Sequence, residues 1–153
     1  MSEYFDDVKK YDAGASEEIV GKIVKHLGIA LRNRDSANVA ASDKTELDRV
    51  VTCLPVIQEV LQGFRDESLF HAARTAMYAL PCVESPLSPP VIDEAVDLYR
   101  RARLVGTTVR SSVDCLIAAC AIRHRLTVVH CDRDFAALAK VAPLEHYDIK
   151  RRV

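Results

Sequence analysis

Residues 108–138 read TVRSSVDCLIAACAIRHRLTVVHCDRDFAAL. The middle of this stretch, Val113 to Ile122, is apolar almost all round, which predicts a helix buried on every side. After a short basic gap, Leu126 to His130 is a β-branched apolar run and predicts a buried strand. Asp134 to Val141 predicts the next helix. Working back towards the N-terminus, Val91 to Leu104 predicts a long helix with Ile92, Ala95, Val96, Tyr99 and Ala102 on one face, ended by Gly106. Before it come a short strand at Pro81 to Glu84, helices at Leu69 to Leu80 and Ile57 to Phe64, and a strand at Val50 to Leu54 stopped by Pro55. Beyond the quoted stretch, Glu145 to Ile149 reads as an edge strand. Alternating strands and helices predict an α/β fold: a mostly parallel sheet with helices on both faces.

The chain changes character near residue 50. All five cysteines and all six prolines lie after it. Before it, the pattern is helical. Ser16 is a candidate N-cap with Glu17 and Glu18 in the first turn, and Ile19, Val20, Ile23, Val24, Leu27 and Leu31 form a stripe at helical spacing. Asp43 with Glu46 suggests a capping box. The expected organisation is therefore a helical segment over residues 1–49 and an α/β domain over 50–153. At 153 residues with 49% apolar and 28% charged side chains, the chain has the size of one ordinary domain and enough apolar surface for a core. A net charge of −1 excludes nucleic-acid binding by bulk charge alone. No apolar run reaches bilayer length, the start is acidic and polar, and no two cysteines form a CxxC pair, so a soluble protein of the reducing cytoplasm is expected.

Chemistry concentrates in acids placed near strand ends. Glu59 follows the Val50–Leu54 strand, Asp114 falls in the first turn of the apolar helix, and Asp132 and Asp134 follow the strand ending at His130. In an open parallel sheet the crevice outside the carboxyl ends of the strands is the usual ligand site. Carboxylates converging there make an oxygen-rich cluster suited to Mg²⁺ or Mn²⁺, ions that hold a phosphodiester and activate water for in-line attack. Each acid also has a purely structural reading. Glu59 could be a solvated helix residue, Asp114 could complete a capping box with Ser111, Asp132 could cap the following helix, and Asp134 could complement its dipole. Of the many arginines, Arg110 and Arg133 lie nearest the acids and are the candidates for contacting RNA phosphates. His130 is a candidate for proton transfer or for fixing bound RNA, and equally for a structural role. Cys115, Cys120 and Cys131 read as small buried apolar residues.

From about Val50 to Tyr147 the chain resembles the PIN-domain ribonucleases, in particular the VapC toxins of bacterial toxin–antitoxin pairs. The likeness rests on PVIQEVLQGF at 55–64, VDLYRRARLVG at 96–106 and, most specifically, the opening stretch with its Asp at the head of an Ala/Ile-rich helix and its D-x-D-F after the strand. The resemblance implies a PIN-like α/β fold and metal-dependent hydrolysis of RNA. Glu59, Asp114 and Asp132 would be the catalytic acids and, with Asp134, the ligands of Mg²⁺ or Mn²⁺. It also implies a cognate antitoxin and a homodimer as partners. Residues 1–49 resemble the start of a small helical bacterial family of unknown function, through 7–35 and 42–50.

One departure from the PIN pattern matters. That family opens with a hydrophobic strand, central in the sheet, ending in an Asp that completes the acidic cluster, and nothing before Val50 matches it. Losing a central strand leaves two neighbours with unpaired ladder groups. The sheet is then expected to close over the gap or to be filled by a helix, and the nuclease to be impaired. The competing readings are a catalytically inactive PIN-like interaction module, and a protein whose working part is the helical N-terminus.

Overall fold

The computed structural model describes residues 29–33 and 50–148. The helix expected after Ser16 and the capping box at Asp43 lie outside the described residues. In chain order the elements are β1 (Ile29–Asn33), β2 (Val50–Cys53), α1 (Leu54–Leu61), α2 (Glu67–Ala79), β3 (Cys82–Val83), α3 (Pro89–Leu104), α4 (Ser112–Arg123), β4 (Leu126–His130), α5 (Arg133–Leu138) and β5 (His146–Asp148).

The strands form one sheet in the order β3-β2-β1-β4-β5. β2 pairs with β3, and β4 with β5, in parallel. β1 lies between β2 and β4 and is antiparallel to both, with Leu31 opposite Val51 and Val128. The four strands after residue 50 therefore point one way, as the α/β, PIN-like reading requires, and the central place is filled from the N-terminal part of the chain. Two expectations are corrected. Leu31 belongs to a strand and not to a helical stripe, and the gap neither closes over nor takes a helix. The reason is the demand for hydrogen bonds: β2 and β4 each present a row of main-chain groups that only another strand satisfies. Leu31, 0% exposed, seats β1 in the core.

The helices follow the sequence with adjustments at α1 and α3, and α5 stops at Leu138, short of the expected Val141. α1 starts at Leu54, directly after β2, because Pro55 suits a first helical turn and so launches the helix as it ends the strand. α3 buries Val91, Ala95, Leu98 and Ala102, leaving Ile92, Val96 and Tyr99 exposed. The expected stripe had the correct spacing but was displaced by about one position, since periodicity fixes the interval and not the phase. The end of α3 falls as expected. Gly106 takes a positive φ of 73°, Thr107 N–H donates to the carbonyl of Ala102 (2.9 Å) and Gly106 N–H to that of Arg103 (3.0 Å), which closes the helix with a Schellman turn. α4 is buried nearly all round, as its composition demands, with Ile117, Ala118, Ala119, Cys120 and Ala121 all inaccessible. It packs against α3, α1 and β4. Among the described residues no helix is long and apolar enough to cross a membrane.

Candidate functional site

The site is assembled where two helices begin. Ser111 caps α4, its hydroxyl accepting the Asp114 N–H at 3.4 Å, so Asp114 stands in the first turn with its carboxylate at the helix mouth. Asp132, two residues beyond β4, caps α5 by accepting the Asp134 N–H at 3.0 Å. The capping reading of Asp132 therefore holds and does not compete with the functional one, since the cap fixes where that carboxylate points. The capping box at α4 is only half made: Ser111 caps the helix, but among the described residues the Asp114 carboxylate does not accept in return, which leaves it to the cluster. Asp114, Asp132 and Asp134 each bring an oxygen to within 4.8 Å of the others. Asp134 is 2% exposed and Asp114 8%, whereas the Asp132 side chain is 46% exposed and opens the cluster to solvent.

Arg110, in the extended segment before α4, binds this cluster twice over. Its main-chain N–H donates to Asp134 Oδ2 at 2.9 Å. Its guanidinium reaches Asp134 Oδ1 through Nε at 3.4 Å and Asp132 Oδ1 through Nη2 at 3.0 Å. The two carboxylates hold the Arg110 guanidinium above its ordinary pKa, Asp134 most strongly. Asp114 is treated differently. Among the described residues no donor reaches its carboxylate. Burial, followed by the charges of Asp132, Asp134 and Glu59, pushes it up to about 7, against a smaller opposing pull from Arg110. A buried carboxylate that repels its neighbours and has no donor is a group that a bound cation would relieve. The hard oxygen donors around it suit a divalent ion of the Mg²⁺ or Mn²⁺ kind.

The remaining candidates fall at different distances from this centre. Glu59, half-buried on α1, accepts from Gln62 Nε2 at 3.1 Å. It lies outside the close trio yet near enough for its charge to act on Asp114. Arg133 is exposed at the start of α5 and makes no ion pair among the described residues. His130 is fully buried. Its Nδ1 accepts the Asp132 N–H at 3.1 Å, which leaves the proton on Nε2 to be donated to His146 Nδ1 at 2.9 Å. With both nitrogens engaged and no exposed surface, His130 has nothing to offer a phosphate directly. Its geometry is that of a post holding the Asp132 main chain. Burial first, and the neighbouring His146 next, pull it below the ordinary histidine pKa and keep it neutral. No local feature of the sequence marks His146; the β4–β5 pairing brings it to His130. Cys115 and Cys120 are buried, as their reading predicts, while Cys131 is only partly so. Burial and the Asp114 charge push the Cys115 thiol up to about 11, which rules it out as a thiolate nucleophile near neutral pH.

Two comparisons with known proteins find matches. Residues 3–60 match the family model described as "Protein of unknown function (DUF2853)". The VapC ribonuclease Mb1587 of Mycobacterium bovis is 37% identical over 106 residues, covering 65% of this chain and 74% of that protein. Ribonuclease VapC11 of Mycobacterium tuberculosis matches to the same extent, in two strains.

Proposed function

The chain belongs to the VapC ribonuclease family, and from that premise we propose that it is a divalent-metal-dependent endoribonuclease, the toxin of a toxin–antitoxin pair. The observation that carries this reading is the convergence of Asp114, Asp132 and Asp134, with Asp114 buried and without a donor among the described residues. Asp114 and Asp132 hold the metal, Glu59 adds charge from α1, and Asp134 steadies the far side of the cluster through Arg110. An ion bound there supplies charge neutralisation at the phosphate and activation of water for in-line attack. Arg110 beside the cluster and Arg133, exposed at the start of α5, serve RNA phosphates; His130 acts through Asp132. On the same premise the partners are an RNA substrate, a cognate antitoxin and a second copy of the chain, in the cytoplasm. Purified protein is expected to cleave structured RNA with Mg²⁺ or Mn²⁺, to stop when the ion is chelated, and to lose activity with Asp114→Asn. Cleavage that survives both treatments overturns the reading.

One observation favours a second reading. The central strand, Ile-Ala-Leu-Arg-Asn, contributes no carboxylate and runs opposite to its neighbours. A cluster short of one acid binds metal more weakly, and the fold then serves as a non-catalytic interaction module. Titration with Mn²⁺ at neutral pH separates the two: saturable binding that depends on Asp114 supports the enzyme, and its absence supports the module.

A further inference from the structure

Arg110 is attached to the acidic cluster by two independent means. The main-chain N–H to Asp134 Oδ2 pins the backbone ahead of α4 whatever the side chain does. The guanidinium contacts are separable from it and looser: one is long, at 3.4 Å, and the side chain is 53% exposed, so it is not enclosed in the core and has solvent beside it to swing into. It neutralises Asp132 and Asp134 but makes no hydrogen bond to Asp114. Asp132 Oδ1 already accepts the Asp134 N–H of the helix cap, so it keeps that bond if the guanidinium leaves. A divalent ion drawn to Asp114 would meet Asp132 with a positive charge already 3.0 Å from its Oδ1. Two cations on one carboxylate repel, so one of them must give way.

We infer that Arg110 is an internal counter-cation that exchanges with the divalent ion at Asp132, so that binding the ion releases the guanidinium towards the RNA. This rests on the metal-dependent reading above. Without the ion, Arg110 offsets the mutual repulsion of Asp132 and Asp134 and keeps the cluster assembled. With it, the freed guanidinium stands at the open, Asp132 side of the cluster as a forked donor for a phosphate. The side chain therefore lowers affinity for the ion while raising the rate of cleavage, and an arginine that merely braced the fold would help both.

The test is Mn²⁺ binding by calorimetry on the full chain without RNA, for the wild type, Arg110→Ala, Arg110→Gln and Asp114→Asn. Exposed ion pairs are weak, so removing the guanidinium is expected to tighten Mn²⁺ binding by about 3- to 10-fold. Cleavage at saturating Mn²⁺ is expected to slow in the same variants. Arg110→Gln guards against a fold weakened by Ala, and the same tightening is expected of it. Unchanged or weaker binding in both Arg110 variants, with binding still abolished by Asp114→Asn, overturns the exchange and leaves the metal site standing. No saturable binding in the wild type or either Arg110 variant overturns the metal reading and the exchange together.

Discussion

Asp114 is asked to be two things at once. Folding favours its neutral form, because burial and three nearby acids lift it from an ordinary 3.8 to about 7, whereas metal binding needs it ionised. That conflict sets the sign of its effect on stability. Between those two values the folded chain holds a proton that the unfolded chain has released, so stability falls as pH rises through the window. His130, a base held below its ordinary value, pulls the other way over the acid part of that window, since the unfolded chain takes up a proton there that the folded one refuses. The difference between Asp114→Asn and the wild type, measured as melting temperature in chelator, therefore isolates Asp114. The variant is expected to gain stability over the wild type from pH 5 to pH 8 while losing Mn²⁺ binding and cleavage. A difference that does not change with pH would show that Asp114 titrates as it does in the unfolded chain. The three clustered acids were legible in the sequence because each is fixed by its offset from the start of a helix or the end of a strand. The role of His130 was not, because its burial and its partner come from strands distant in the chain.

At the scale of elements, α3 shows what a repeating pattern leaves open. Ala95 and Ala102 belong to both the expected and the observed stripes. The choice between Ile92-Val96-Tyr99 and Val91-Leu98 is settled by how the helix rolls against α4, and no local feature records that. The observed phase makes a direct prediction for urea unfolding. Leu98→Ala, at 1% exposure, should cost about 2–5 kcal/mol, and Val96→Ala, at 53%, no more than about 0.5 kcal/mol. Reversed values would restore the expected face. The start of α1 carries the same lesson for proline: Pro55 stops β2 and equally belongs to the first turn of α1. That direct passage brings α1, and Glu59 with it, straight off the end of β2.

Over the whole molecule, the alternation of strands and helices announced the α/β architecture, and the lack of a matching first strand announced a vacancy in the sheet. The identity of the segment that filled it was not legible. The residues of β1 look like the tail of a helical stripe until β2 and β4 are in place on either side, and pairing is decided by that competition between partners. Two consequences are measurable. A chain beginning at Val50 lacks the strand between β2 and β4, and it is expected to lose cooperative thermal unfolding and to aggregate through the exposed edges. In the full chain, Leu31→Ala removes a side chain inaccessible to solvent, and a loss of about 2–5 kcal/mol is expected in denaturant unfolding. A Val50 chain that melts as sharply as the full one would show that β1 is dispensable.

The described chain enters the sheet at Ile29 and ends at Asp148, and both residues stand opposite His130, one on each side of β4. Tension applied between those two points would peel β1 and β5 away one rung at a time, as a zip opens, instead of dragging whole strands past each other. The rung that parts first is the one beside Asp132, so a pulled molecule would lose its acidic groove before it lost its core.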